Sequence, residues 1–146
     1  MKIRKVSILI VAVMLLSTLV CFQLVACNSN DKEFKEIVSC AKIVKNDYKQ
    51  SRGFSITDNC GYKVVTGNTS TSGTYIVIPF KTKDLLYDIE IVDIAFFCNG
   101  ELLGYKGDYP YSYNASKKDR YLKALNIYTS QDFDKQYSAK DLNKKI

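Results

Sequence analysis

The chain has 146 residues, room for one domain and hardly for two, and its 47% hydrophobic content is ordinary for a globular protein. It contains no His, so it cannot build a Ser-His-Asp triad, a Cys-His dyad or an imidazole metal site on its own. The formal net charge is +6, but Lys2, Arg4 and Lys5 precede an apolar run; without them the surplus over the 15 acidic residues is +3, too weak for a nucleic-acid-binding stripe.

The first five residues, MKIRK, form a short positive segment. Val6 to Val25 then run for 20 residues without a charge, broken by Ser7, Ser17, Thr18 and Gln23. Such a run is about long enough to span a bilayer. A positive start and small residues at the end also make a secretory signal peptide. The end of the run separates the two. Leu24-Val25-Ala26-Cys27 matches every position of the bacterial lipobox, and on these residues the chain resembles the bacterial lipoproteins. The resemblance covers the first 27 residues. It implies that Cys27 takes a diacylglyceryl group, that a signal peptidase cuts ahead of it, and that the new amino terminus is open to acylation, with palmitate as the expected label. The alternative is an uncleaved signal anchor with Cys27 at the membrane edge.

The expected organisation is a signal peptide over 1–26, a lipidated tether over 27–31 and a single domain over 32–146. The expected place is the extracytoplasmic face of the cell membrane. Two or three acyl chains, at about 0.8 kcal/mol per buried methylene, hold a small domain where one would not. No cofactor is expected beyond that covalent lipid on Cys27.

From Asn30 to Gly53 the sequence predicts a first helix. Phe34, Ile37, Val38, Ala41, Val44 and Tyr48 recur at three- and four-residue steps. Lys49 and Arg52 suit its last turn, and Gly53 its stop. FSIT (54–57) and YKVV (62–65) then read as a hairpin, or as one strand bulged near Cys60 and Gly61. TGNTSTSG (66–73) is a loop. TYIVIPFKT (74–82) is a strand whose Pro79 marks an edge or a bulge. DIEIVDIAFFC (88–98) is another strand, apolar on both faces near its end. Asn99-Gly100 predicts a type I′ turn. After a tyrosine-rich loop, a second helix follows at 116–130, capped by Asn114 or Ser116. A short third helix follows, capped by Ser138, with Leu142 and Ile146 turned inward. The order predicts an α+β fold: an N-terminal helix, a small antiparallel meander of three to five strands, and one or two C-terminal helices, all packed on one face of the sheet. This order is similar to cystatin-like or inhibitor-like architectures, as a fold analogy. It also resembles small lipoproteins of AT-rich Gram-positive bacteria, a likeness that implies no activity.

Candidate sites are few. Removing Cys21 with the signal and lipidating Cys27 leaves Cys40, Cys60 and Cys98. The arithmetic suggests one disulfide and one buried thiol: Cys60 and Cys98 could pair if their β segments are neighbours, and Cys40 suits the buried thiol. Asp84, Asp88, Glu90 and Asp93 are close enough in sequence to consider Ca²⁺. They lack an Asp-x-Asp-x-Asp-Gly pattern, so a solvated face is expected and no metal. Tyr105, Tyr109, Tyr111 and Tyr113 surround Pro110, and rigid amphipathic rings of this kind build binding surfaces as well as loop packing. The expected function is a binding module without enzymatic activity, taking a protein, peptide or glycan of the envelope and no nucleic acid. The rivals are an inhibitor or immunity-type module that presents a loop to an envelope enzyme or toxin, and an enzyme that works without His.

Overall fold

The computed structural model describes residues 32–67, 69–108 and 113–146. The expected signal peptide (1–26), Cys27 and the rest of the expected tether (27–31) lie outside them, as do Tyr109 and Tyr111. The chain divides into two compact units, Met1–Lys35 and Glu36–Ile146, and the second carries the sheet. The described elements are α1 (32–47), β1 (Ser51–Ile56), β2 (Cys60–Val65), β3 (Gly73–Asp84), β4 (Glu90–Cys98), β5 (Glu101–Tyr105), α2 (Ala115–Ser130), β6 (Lys135–Tyr137) and α3 (Ala139–Asn143). The fold is α+β, built on a six-stranded antiparallel sheet in the order β5-β4-β3-β2-β6, with β1 also on β3.

β3 organises the sheet because it is 12 residues long and serves two partners along one edge. Its first half pairs with β2, from Val65↔Gly73 to Gly61↔Val77, and its second half with β1, from Ile56↔Phe80 to Ser51↔Asp84. β1 and β2 are therefore in line and broken at Thr57–Asn59. Pro79 lies opposite that break. It has no N–H to offer, and its carbonyl accepts from Thr57 N–H at 3.1 Å.

α1 ends at 47, earlier than the apolar stripe suggested. Arg52 and Gly53 belong to β1, where Gly53 (φ +66°) lies within a register shift between Arg52 and Ser55. Asn99 (φ +51°) and Gly100 (φ +78°) form the expected two-residue turn between β4 and β5. Asn114 is the cap of α2, and its Oδ1 accepts from Lys117 N–H at 2.9 Å.

Helices cover both faces of the sheet, not one. Tyr75 and Val77 of β3 join Ile94, Phe96, Cys98 and Leu103 in a cluster closed by Tyr121, Ala124 and Ile127 of α2. The alternate residues Ile76, Ile78, Phe80, Ala95 and Phe97 are just as buried and point the other way. On that side α1 buries Ile37, Cys40, Ala41 and Val44, and Tyr48, just past its end, sets its ring 5.2 Å from Phe80. The unbroken apolar runs in β3 and at the end of β4 are the sequence trace of this two-sided burial.

Two polar devices finish the sheet. Asn143 of α3 acts as a strand end: its Nδ2 donates to Ile56 C=O at 2.9 Å, and its Oδ1 accepts from Ile56 N–H at 2.8 Å. Lys63 of β2 donates to Asp132 at 2.9 Å and Asp134 at 3.0 Å, while Asp134 also accepts from Val64 N–H at 2.8 Å. The Val64 N–H and the Lys63 ammonium hold the Asp134 carboxyl below its ordinary range. This fork brings the chain into β6, which pairs with β2 from Cys60↔Tyr137 to Tyr62↔Lys135.

Candidate functional site

α2 is shorter than the sheet it covers, so part of that face stays open. The opening is a groove of about 400 Å³. Val77, Pro79, Val92 and Ile94 form its floor, and Val92 is 66% exposed despite sitting in a central strand. One wall is the end of α2, where Lys106 Nζ stands 5.4 Å above the Tyr128 ring and Gln131 follows in a left-handed C-cap (φ +54°). The Phe133 ring forms the next part of the wall. It lies so close over Gly61 that a Cβ there would overlap it. Gln136 of β6 and the Thr57–Asn59 break close the far side.

Apolar floor, aromatic edge and carboxamide rim are what a polypeptide segment needs, since carboxamides both donate and accept. The titratable side chains among these lining residues are Asp58, Asp93, Lys106 and Tyr128.

Of the described residues singled out in the sequence, Asp93 lines this groove and the others fall elsewhere. Tyr105 and Tyr113 are half-buried. Tyr105 donates to the Asp47 carboxylate at 2.7 Å, and its ring packs 5.6 Å from Tyr48 and 5.8 Å from Phe80. Burial first, then Asp47, pushes its pKa up. Tyr113 packs 5.8 Å from Tyr121 with Lys117 Nζ 4.7 Å over its ring. Tyr121 holds the loop from beneath, its hydroxyl lying 2.8 Å from Tyr105 C=O and 3.2 Å from Asp108 C=O.

The expected Cys60–Cys98 disulfide is not formed. Cys40, Cys60 and Cys98 are free and buried. Cys98 lies in the α2-side cluster. Cys60 precedes Gly61, the residue beneath Phe133 on that same side, so its side chain points to the opposite face. β3 runs between their two strands. Cys60 lies instead on the α1 side of the sheet, the side on which α1 buries Cys40. Burial is the main cause that pushes both thiols up to about 12.

The acidic residues disperse. Asp84 accepts from Leu86 N–H at 2.8 Å and Tyr87 N–H at 2.9 Å. Asp88 pairs with Arg52 at 3.0 Å and Lys83 at 2.7 Å, and Glu90 lies 3.9 Å from Lys81. Among the described residues no three His, Cys, Asp or Glu are grouped to hold a metal. Among the same residues no helix is long and apolar enough to cross a membrane.

The groove itself was not legible in sequence, because it draws on the β1–β2 break, β3, β4, the end of α2 and β6 at once. The one local signal was Val92, an apolar residue between charges in DIEIVD. Compared with known proteins, the chain matches no family model, no curated protein and no solved structure.

Proposed function

We propose that this chain is an extracytoplasmic lipoprotein, held on the cell membrane through acylated Cys27, whose domain binds a segment of an envelope protein. The observation that carries the anchor is Leu24-Val25-Ala26-Cys27, which closes the uncharged run that begins at Val6 after three positive charges, and which precedes a polar stretch. The groove supports a binding role. Its floor offers the exposed Val92 and Pro79 to an apolar side chain, and its carboxamide rim can pair with a peptide backbone.

Metabolic labelling with palmitate tests the anchor. The wild type takes up label, and blocking the lipoprotein signal peptidase with globomycin leaves the larger precursor. Cys27→Ala takes up none. An unlabelled wild type, or a Cys27→Ala chain that behaves identically, would sink the anchor. Binding is read by photo-crosslinking in cells from position 92, with Leu122 on the outer face of α2 as the comparison. A discrete adduct from 92 that Pro79→Glu abolishes supports the groove; equal labelling from both positions opposes it.

A further inference from the structure

One end of the sheet carries a second feature that the groove does not use. The turn between β3 and β4 projects Leu85, Leu86, Tyr87 and Ile89, which are 56–83% exposed. A turn ordinarily carries polar residues, and contiguous exposed apolar side chains mark a contact surface. The turn is also well built. Asp84 accepts two of its backbone N–H groups, Asp84 N–H donates to Ile89 C=O at 2.9 Å, and Asp88 takes a left-handed conformation (φ +56°). The apolar residues are therefore displayed by a fixed hairpin.

The surroundings of this tip are basic. Arg52, Lys81 and Lys83 stand at its base, where they neutralise Asp88 and Glu90. β1 brings a further group alongside, because Ser51 is in register with Asp84. Ser51 lines an open cleft of about 600 Å³ together with Lys42, Lys45 and Lys49. Those three lysines are spaced 3 and 4 residues apart and so form one stripe along and just beyond α1. Six cations thus share this end with four carboxylates, Asp47, Asp84, Asp88 and Glu90. Asp84 is committed to the turn and Asp47 to Tyr105.

We infer that this end of the domain seats on an anionic bilayer, with Leu85, Leu86, Tyr87 and Ile89 among the headgroups and the lysine stripe on the lipid phosphates. The charge pattern favours a lipid surface as occupant: an apolar wedge backed by cations matches the layering of hydrocarbon under anionic headgroups, and a tyrosine at the wedge suits the interface. The inference rests on the lipid anchor only for proximity. A domain already tethered at a membrane needs only a weak second contact to be held in one orientation.

The chain has no Trp, so one introduced Trp reports alone. The full lipidated protein, carrying Tyr87→Trp or Leu122→Trp, is reconstituted with vesicles of phosphatidylglycerol and phosphatidylcholine, with and without brominated chains. Trp at 87 is expected to shift to the blue and be quenched by roughly twofold, with no quenching at 122. The combined Lys42→Glu, Lys45→Glu and Lys49→Glu changes, or vesicles of phosphatidylcholine alone, should remove most of that quenching. Equal quenching at 87 and 122, or quenching indifferent to lipid charge, overturns the inference and leaves the tip to a protein partner. Flotation of the same samples judges the anchor separately, so either proposal can fail alone.

Discussion

At the scale of single residues, the contact between Gly61 and Phe133 holds the groove wall. A methyl group on Gly61 would overlap the Phe133 ring, which packs against the α2-side cluster and cannot swing away without opening it. Overpacking of this kind costs about 1–3 kcal/mol, so Gly61→Ala should lower the unfolding free energy by that amount, read as a lower urea midpoint at unchanged slope. Adding Phe133→Leu to Gly61→Ala should recover part of the loss; strictly additive effects would mean the two do not meet. The buried thiols set the response to alkali. Cys40 and Cys60 titrate at about 12 when folded, against 9.0 ordinarily, so the unfolded chain loses these protons first. Their contribution to stability is complete below pH 9 and lost as pH rises toward 12. The slope is about 1.4 kcal/mol per pH unit for each thiol. Half-buried tyrosines such as Tyr105 add to this only above their ordinary 10.0. Replacing both cysteines with Ala should therefore delay the fall in unfolding free energy by about one pH unit. An unchanged onset in equilibrium denaturation would show that the thiols do not drive it.

At the scale of elements, α3 depends on one side chain. Asn143 gives Ile56 both hydrogen bonds that a neighbouring strand would give. Asn143→Ala leaves both backbone groups unpaired at the edge of β1, a loss of about 1–3 kcal/mol. The Ile56 amide should then exchange with solvent much faster, while amides in the centre of β3 slow down or speed up only with global stability. Equal acceleration everywhere would argue against a local role for α3. Such pairing also explains which elements were legible in the sequence. The Asn99-Gly100 turn and the Asn114 cap are local chemistry, and both are where the residues place them. β6 was not legible: three residues, KQY, become a strand only because Lys63 and Asp134 bring them beside β2, about 70 positions away. Gly53 looked like a helix stop because the stripe ran on to Tyr48, yet the register with β3 makes it part of a strand. The apolar floor of the groove and the hairpin tip were visible as residues but not as surfaces. Leu86 reads as a core residue until the sheet shows it 83% exposed, and for Val92 the charges beside it are the one local sign.

At the scale of the whole domain, one sheet shares its two faces between two layers of helix, and the three free cysteines sample both. Cys98 belongs to the α2 side, while Cys40 and Cys60 belong to the α1 side. β3 contributes alternate side chains to both layers, so the loss of either layer exposes the apolar face that the other layer shares a strand with. Stripping α1 away would leave Ile76, Ile78, Phe80 and Phe97 in water, which is too much apolar surface to tolerate in a stable intermediate. Residues 36–146 should therefore unfold as one cooperative unit. Pulsed thiol labelling across a urea series, read by mass at Cys40, Cys60 and Cys98, tests this. Only two species are expected, one unlabelled and one carrying three labels, with no labelling in native buffer. The same experiment counts thiols. One label instead of three in the unfolded protein would reveal a disulfide, and Cys40 with Cys60 is the pair whose faces allow it. A singly labelled species modified at Cys40 would show α1 leaving first. That result would make the lysine stripe on α1 an independently moving element, no longer a fixed part of the hairpin end.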